Sequence, residues 1–177
     1  MKTRNLITTA IVAVTTFGLL LFLGWRALQD EYGVSIASVR WLPPEALNIK
    51  YIRFPMTHTM AEFEIEQAAF EAWGRSKKMP MRRLLSNESR SIPRCLFLLE
   101  RKGLIPVVPE PGKESVEEWS PRYGHRYRKS LGKGDLHYVE RWDNGGGYAL
   151  GYDVEEGKGY YWFGHHWPSL IRISSRQ

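Results

Sequence analysis

The chain opens on twenty residues without a charged side chain, Leu6 to Trp25, directly behind Lys2 and Arg4. The polar positions inside it are Thr8, Thr9, Thr15 and Thr16, whose hydroxyls can bond back to helix carbonyls, so the stretch lacks the polar face of a core helix in a soluble domain. At 1.5 Å of rise per residue it is long enough to cross a bilayer as one helix. A cleaved signal peptide would need small residues before its cut, and the best site, after Ala27, stands too close to bulky Trp25; no Cys follows directly to serve as a lipoprotein site. The expectation is a retained transmembrane helix at 6–25 with Trp25 as an interfacial anchor, behind a cytoplasmic N-terminus at 1–5. Lys2, Arg4 and the terminal amine, set against Arg26, Asp30 and Glu31, orient it N-terminus inside. Residues 28–177 then form one extracytoplasmic domain.

Past the apolar stretch, Gly33 reads as the helix stop and Trp41-Leu42-Pro43-Pro44-Glu45 as an extended lead into the domain, since paired prolines fix φ and disfavour helix. Period-two alternation predicts strands over Leu47–Phe54 and Thr59–Ile65, the second with Ala61, Phe63 and Ile65 inward and Glu62 and Glu64 outward. Glu66–Arg75 reads as a short helix, with Ala69, Phe70 and Trp73 on one side. A second helix is predicted from Ser91 to Gly103, with Pro93 in its first turn and Ile92, Cys95, Leu96 and Leu99 as its stripe; a buried strand is the competing reading. Pro106, Pro109, Pro111 and Pro121 make the following stretch irregular.

The last third predicts a three-stranded meander over Asp135–Trp142, Tyr148–Val154 and Tyr160–His166, with glycine-rich turns between. With tight hairpins, Trp142 faces Tyr148 and Val154 faces Tyr160. Alternation then assigns Leu136, Tyr138, Trp142, Tyr148, Leu150, Tyr152, Val154, Tyr160 and Trp162 to a buried face, and His137, Asp153, Tyr161 and Phe163 to the wet one. The fold class expected is α+β: a single N-terminal transmembrane helix, then one domain of antiparallel strands with one or two helices packed on one face.

The formal charge of +6 changes this picture little. Setting aside Lys2, Arg4 and Arg26 leaves 22 basic against 19 acidic residues, a surplus of +3. The basic excess is local, at Lys77, Lys78, Arg82 and Arg83 and again from Arg122 to Lys133. Cys95 stands alone, so no internal disulfide forms and the fold rests on its core.

Leu42-Pro43, Ala46, Asn48-Ile49 and Tyr51, then Phe63-Glu64-Ile65, Phe70 and Trp73, and finally Tyr152-Asp153, Gly157-Lys158 and Tyr160-Tyr161 resemble small signal-anchored bacterial proteins of unknown function. The resemblance covers half of the chain beyond the anchor. Its motifs are structural punctuation, and it implies no activity, cofactor or site residue.

Candidate chemistry is sparse. His137 opposite Asp153, with Tyr161 next along the row, has the outline of a general base with a neighbouring hydroxyl, against the plainer reading of a cross-strand polar pair. His137 and His165 lie roughly 10 Å apart across three strands, and His165 and His166 face opposite ways, so no metal site is expected. Gly132-Lys133-Gly134 and the glycines from Gly145 to Gly147 are turns, lacking the Lys-Ser/Thr and helix of a phosphate loop. Arg122, Arg126, Arg128 and Lys129, interleaved with Tyr123 and Tyr127, form the candidate anion-binding surface. Outside a membrane that surface meets lipid headgroups, an anionic envelope component or another membrane protein rather than nucleic acid. The function expected is a non-enzymatic, envelope-associated binding module without a cofactor, the partners being the bilayer through residues 6–25 and an anionic surface. A small envelope hydrolase or transferase built on His137 and Asp153 is the alternative.

Overall fold

The alternating segments become the strands of one large sheet, and segments without alternation cover it. The computed structural model describes residues 2–55, 57–106 and 128–165. In chain order they form α1 (Lys2–Ala27), β1 (Glu31–Ile36), β2 (Leu47–Phe54), β3 (His58–Glu64), α2 (Gln67–Ser76), β4 (Arg82–Arg83), β5 (Arg90–Pro93), α3 (Leu96–Arg101), β6 (Arg128–Leu131), β7 (Leu136–Arg141), β8 (Gly147–Asp153) and β9 (Lys158–Gly164). Seven strands make an antiparallel sheet in the order β1-β2-β3-β9-β8-β7-β4, and β5 pairs with β6 as a separate ribbon. The central seam joins β3 to β9, with His58 opposite Gly164 and Glu64 opposite Lys158. This seam unites the first hairpin with the C-terminal meander.

The N-terminal expectation needs correction. A helix forms there, yet among the described residues no helix is long and apolar enough to cross a membrane. The side chains described in α1 run from Val12 to Arg26. They are exposed, and within them the Thr15 hydroxyl donates back to the Val12 carbonyl at 3.0 Å. The single transmembrane helix at 6–25, the single-pass membrane localisation with its N-terminus inside, the signal-anchor and envelope assignments and the extracytoplasmic side of residues 28–177 are therefore not sustained. What stands is mostly a seven-stranded antiparallel sheet with a few short helices.

The expected single helix-covered face is corrected as well, because the sheet is buried on both sides. On the front, α2 lays Phe70 and Trp73 over Ala61, Phe63, Leu150 and Tyr152. Gly159 makes room for this layer: a Cβ there would stand 2.6 Å from a ring carbon of Phe63. On the back, Ile92 and Leu131 of the β5–β6 ribbon cover Ala149, Tyr160 and Trp162, while Cys95 and Leu99 beside and in α3 cover Ile52. Gly151 admits that ribbon, since a Cβ would collide with the Ile92 and Leu131 methyls. The segment read as one helix from Ser91 is thus divided. Its first residues pair with β6, and only Leu96–Arg101 are helical.

The meander forms, but in a different register. Arg141 faces Gly147 and Asp153 faces Lys158, so Val154 to Gly157 make the second turn. Tyr160 is therefore opposite Gly151 and Tyr161 opposite Leu150. A shift by an odd number of residues, here three, exchanges the two faces of a strand. Tyr160 and Trp162 accordingly point to the back, and Tyr161 and Phe163 to the front. Trp142 falls outside β7 and packs edge-on against Tyr148 at 5.3 Å.

Candidate functional site

The three residues with the outline of a catalytic group do not meet. Tyr161 lies on the front, while His137 and Asp153 lie on the back, His137 opposite Gly151 and Asp153 opposite Lys158. His137 is buried and pushed down to about 4, first by that burial and then by the Arg90 and Arg82 guanidinium groups. It is neutral at neutral pH. Asp153 is also buried; it forms an ion pair with Lys129 and accepts the Glu156 amide at 2.8 Å. This is a structural clasp on the second hairpin turn.

Of the candidate anion-binding residues, Arg122 and Arg126 lie outside the described residues. Arg128 donates from Nε to the Ser91 hydroxyl at 2.9 Å, tying β6 to β5. Lys129 holds Glu156 at 2.8 Å as well as Asp153. Lys129 and Lys158 together draw the Glu156 carboxyl down to about 2, the hydrogen bond from Lys129 being the largest cause. In the first basic cluster, Arg82 pairs with Glu88 at 2.8 Å and Arg83 donates to the Gly134 carbonyl at 2.7 Å. Of these clustered cations, Arg82 and Lys129 face acids, while Arg83 and Arg128 bond neutral oxygens.

Two other chemistry-bearing groups are internal. Cys95 is fully buried, and burial pushes its thiol well up, so it is no nucleophile. Glu62 is buried on the back of β3 and held by Arg94 through two contacts of 2.8 Å, both to Oε2. Among the described residues no cluster of three His, Cys, Asp or Glu side chains could hold a metal ion.

The front of the sheet carries a different arrangement. Strand pairing aligns Glu31, Arg53, Thr59, Phe163 and Tyr148 in one lateral row across β1, β2, β3, β9 and β8. The neighbouring row holds Tyr51, Ala61, Tyr161 and Leu150. Above these rows stands the loop between β1 and β2. Leu42 and Pro43 are buried and anchor it, and the Leu42 amide donates to the Val39 carbonyl at 3.0 Å. The loop thereby sets the Trp41 ring 5.4 Å from Tyr161 and 5.8 Å, edge-on, from Tyr51. On another side, Lys77 ends α2, its amide bonded to the Trp73 and Gly74 carbonyls at 3.1 Å.

Between these parts lies a cleft of about 660 Å³, within the range of small-ligand sites. Its aromatic and apolar lining is made by Val39, Trp41, Tyr161 and Phe163. Arg40, Arg53 and Lys77 supply cations, Glu31 an acid and Thr59 a hydroxyl. Glu31 is engaged by Arg53 at 2.9 Å. Arg40 and Lys77 have no side-chain partner among the described residues and are exposed. Burial, and then neighbouring Tyr148, raises the Tyr161 hydroxyl above its ordinary value, so it remains protonated. Among the described residues the cleft thus offers positive charge without an acidic partner, beside a prepositioned aromatic surface.

In the sequence Tyr161 stands out for its hydroxyl and Lys77 only as part of a basic run, while Arg40 and Arg53 lie outside the basic clusters. The available signal was the Arg40-Trp41 pair ahead of two prolines, a cation and a large ring on a stiffened loop. No family model, curated protein or solved structure matches this chain.

Proposed function

We propose that this protein is a non-enzymatic binding module that takes an anionic ligand in the front cleft. The observation that carries the reading is the convergence of Arg40 and Lys77, unpaired among the described residues, on an aromatic lining fixed by the fold. An anion placed there gains charge–charge attraction without displacing an existing ion pair. Binding fits better than catalysis because the described lining of the cleft holds no histidine or cysteine, and its described carboxylate, Glu31, is held by Arg53. The hydrolase or transferase reading on His137 and Asp153 has less support, since the first is neutral and buried and the second is clasped by Lys129.

Calorimetric titration of the full chain with two dianionic phosphomonoesters, naphthyl phosphate and glucose phosphate, tests this. At least one should bind, and an Arg40→Glu, Lys77→Glu variant should weaken it by roughly tenfold or more, as should raising the salt well beyond 0.1 M. No binding by either compound, or binding indifferent to both salt and charge reversal, removes the reading.

A further inference from the structure

We infer that the ligand of the front cleft is a planar aromatic anion, its ring system lying on Trp41 and its charged group between Arg40 and Lys77. This rests on the cleft being the binding site and goes further, to the body of the ligand.

Hydrogen-bond supply limits which anions the cleft can take. A hydroxyl-rich anion such as a sugar phosphate carries several donors and acceptors that lose water on entering a cleft, and each one left unmatched is costly. Among the described lining residues the cations can only donate, so acceptors for a sugar's hydroxyl protons are few. Apart from its cations, the polar side chains lining it are Thr59, largely buried, the Tyr161 hydroxyl, and Glu31, already held by Arg53. The remaining surface, made by Val39, Trp41, Tyr161 and Phe163, asks for contact area rather than hydrogen bonds. A flat aromatic body buries that area without bringing polar groups that need partners.

The rings are also set in advance. Trp41 is held edge-on by Tyr51, with interplanar angle 85°, and leans on Tyr161 at 43°. Tyr161 is in turn braced by Trp73 at 6.1 Å from the α2 layer. A side chain fixed on several sides loses little freedom when a ligand settles on it. The nearby cations suit the same guest: a guanidinium both pairs with an anionic group and stacks on a π-face, whereas Lys77 supplies a point charge.

The two phosphomonoesters differ in body while sharing a headgroup, so comparing them on the full chain isolates the ring. Naphthyl phosphate should bind about tenfold or more tightly than glucose phosphate. Its ring protons should move upfield in the bound state, and Trp41→Leu should lower its affinity far more than that of glucose phosphate. Equal affinities that both depend on Arg40 and Lys77 would overturn the aromatic class and leave the anion-binding reading intact. The absence of binding by either compound would remove both. Should Trp41→Leu fail to fold, the ring-proton shift on the unaltered protein decides: naphthyl resonances that broaden on binding without an upfield shift would overturn the inference.

Discussion

At the scale of single residues, burial has changed the meaning of several side chains. His137 would titrate near its usual range on an open sheet face, but buried beside β4, near Arg82 and Arg90, it is held down to about 4. A histidine whose folded value is depressed binds fewer protons folded than unfolded over the window between the two values. Its penalty is absent above the unfolded value near 6.5 and grows as the pH falls toward 4. Urea unfolding should therefore show about 1–2 kcal/mol less stability near pH 5 than near pH 7, and His137→Gln should remove much of the difference. His58, also lowered by burial, adds to the same slope. Glu156 and Glu88, both drawn down to about 2, act in the same direction but at lower pH, losing their favourable contribution as the pH falls through and below the ordinary carboxylate range. An unchanged slope in His137→Gln would mean that His137 is not the buried neutral group described.

At the scale of elements, the turns decide what alternation leaves open. The turn from Val154 to Gly157 sets the β8–β9 register, closed by the Gly157 amide on the Asp153 carbonyl at 3.0 Å. Gly157 sits at φ 64°, a left-handed conformation that a side chain branched at Cβ resists. Its carbonyl also accepts the Ile65 amide at 3.1 Å, linking the turn to the junction of β3 and α2. Gly157→Val should thus cost about 1–2 kcal/mol, and Gly157→Asn distinctly less, because asparagine tolerates this region. Chemical denaturation of the two variants checks this, and equal losses would contradict a left-handed turn. The unrecognised strand β1 follows the same logic. Gly33 in its middle reads as a helix stop, yet it is there because the Tyr51 ring lies where a Cβ would be. In β4 and β5 the strand pieces are too short to show any period at all.

At the scale of the whole molecule, β9 is the hinge of the architecture, paired to β8 on one edge and β3 on the other. A fragment restricted to residues 128–165 leaves that edge open and strips the front face of α2 and the back of Ile92. It should remain unfolded, with undispersed amide resonances, whereas the full chain shows the dispersion of a sheet. A folded fragment would show that the meander is independent of the β3 seam. Much of this was legible in the chain. The predicted strand Leu47–Phe54 has the bounds of β2, and β3, α2, β7, β8 and β9 lie close to their predicted positions, because a period of two or 3.6 is a local property written in a few adjacent side chains. Alternation gives the period of a strand but not its phase against a neighbour, and phase decides which side of the sheet a residue meets. That is why alternation alone turns Tyr161 and Phe163 toward water and puts Tyr160 and Trp162 on the same face as Leu150, whereas the pairing does the reverse. Charge behaves alike. Lys129 has no acid near it in sequence and two beside it in space. The front cleft is the extreme case, joining Arg40 and Trp41 of one loop, Arg53 of β2, Lys77 after α2 and Tyr161 of β9, which only the long-range pairing of β3 with β9 brings onto one surface.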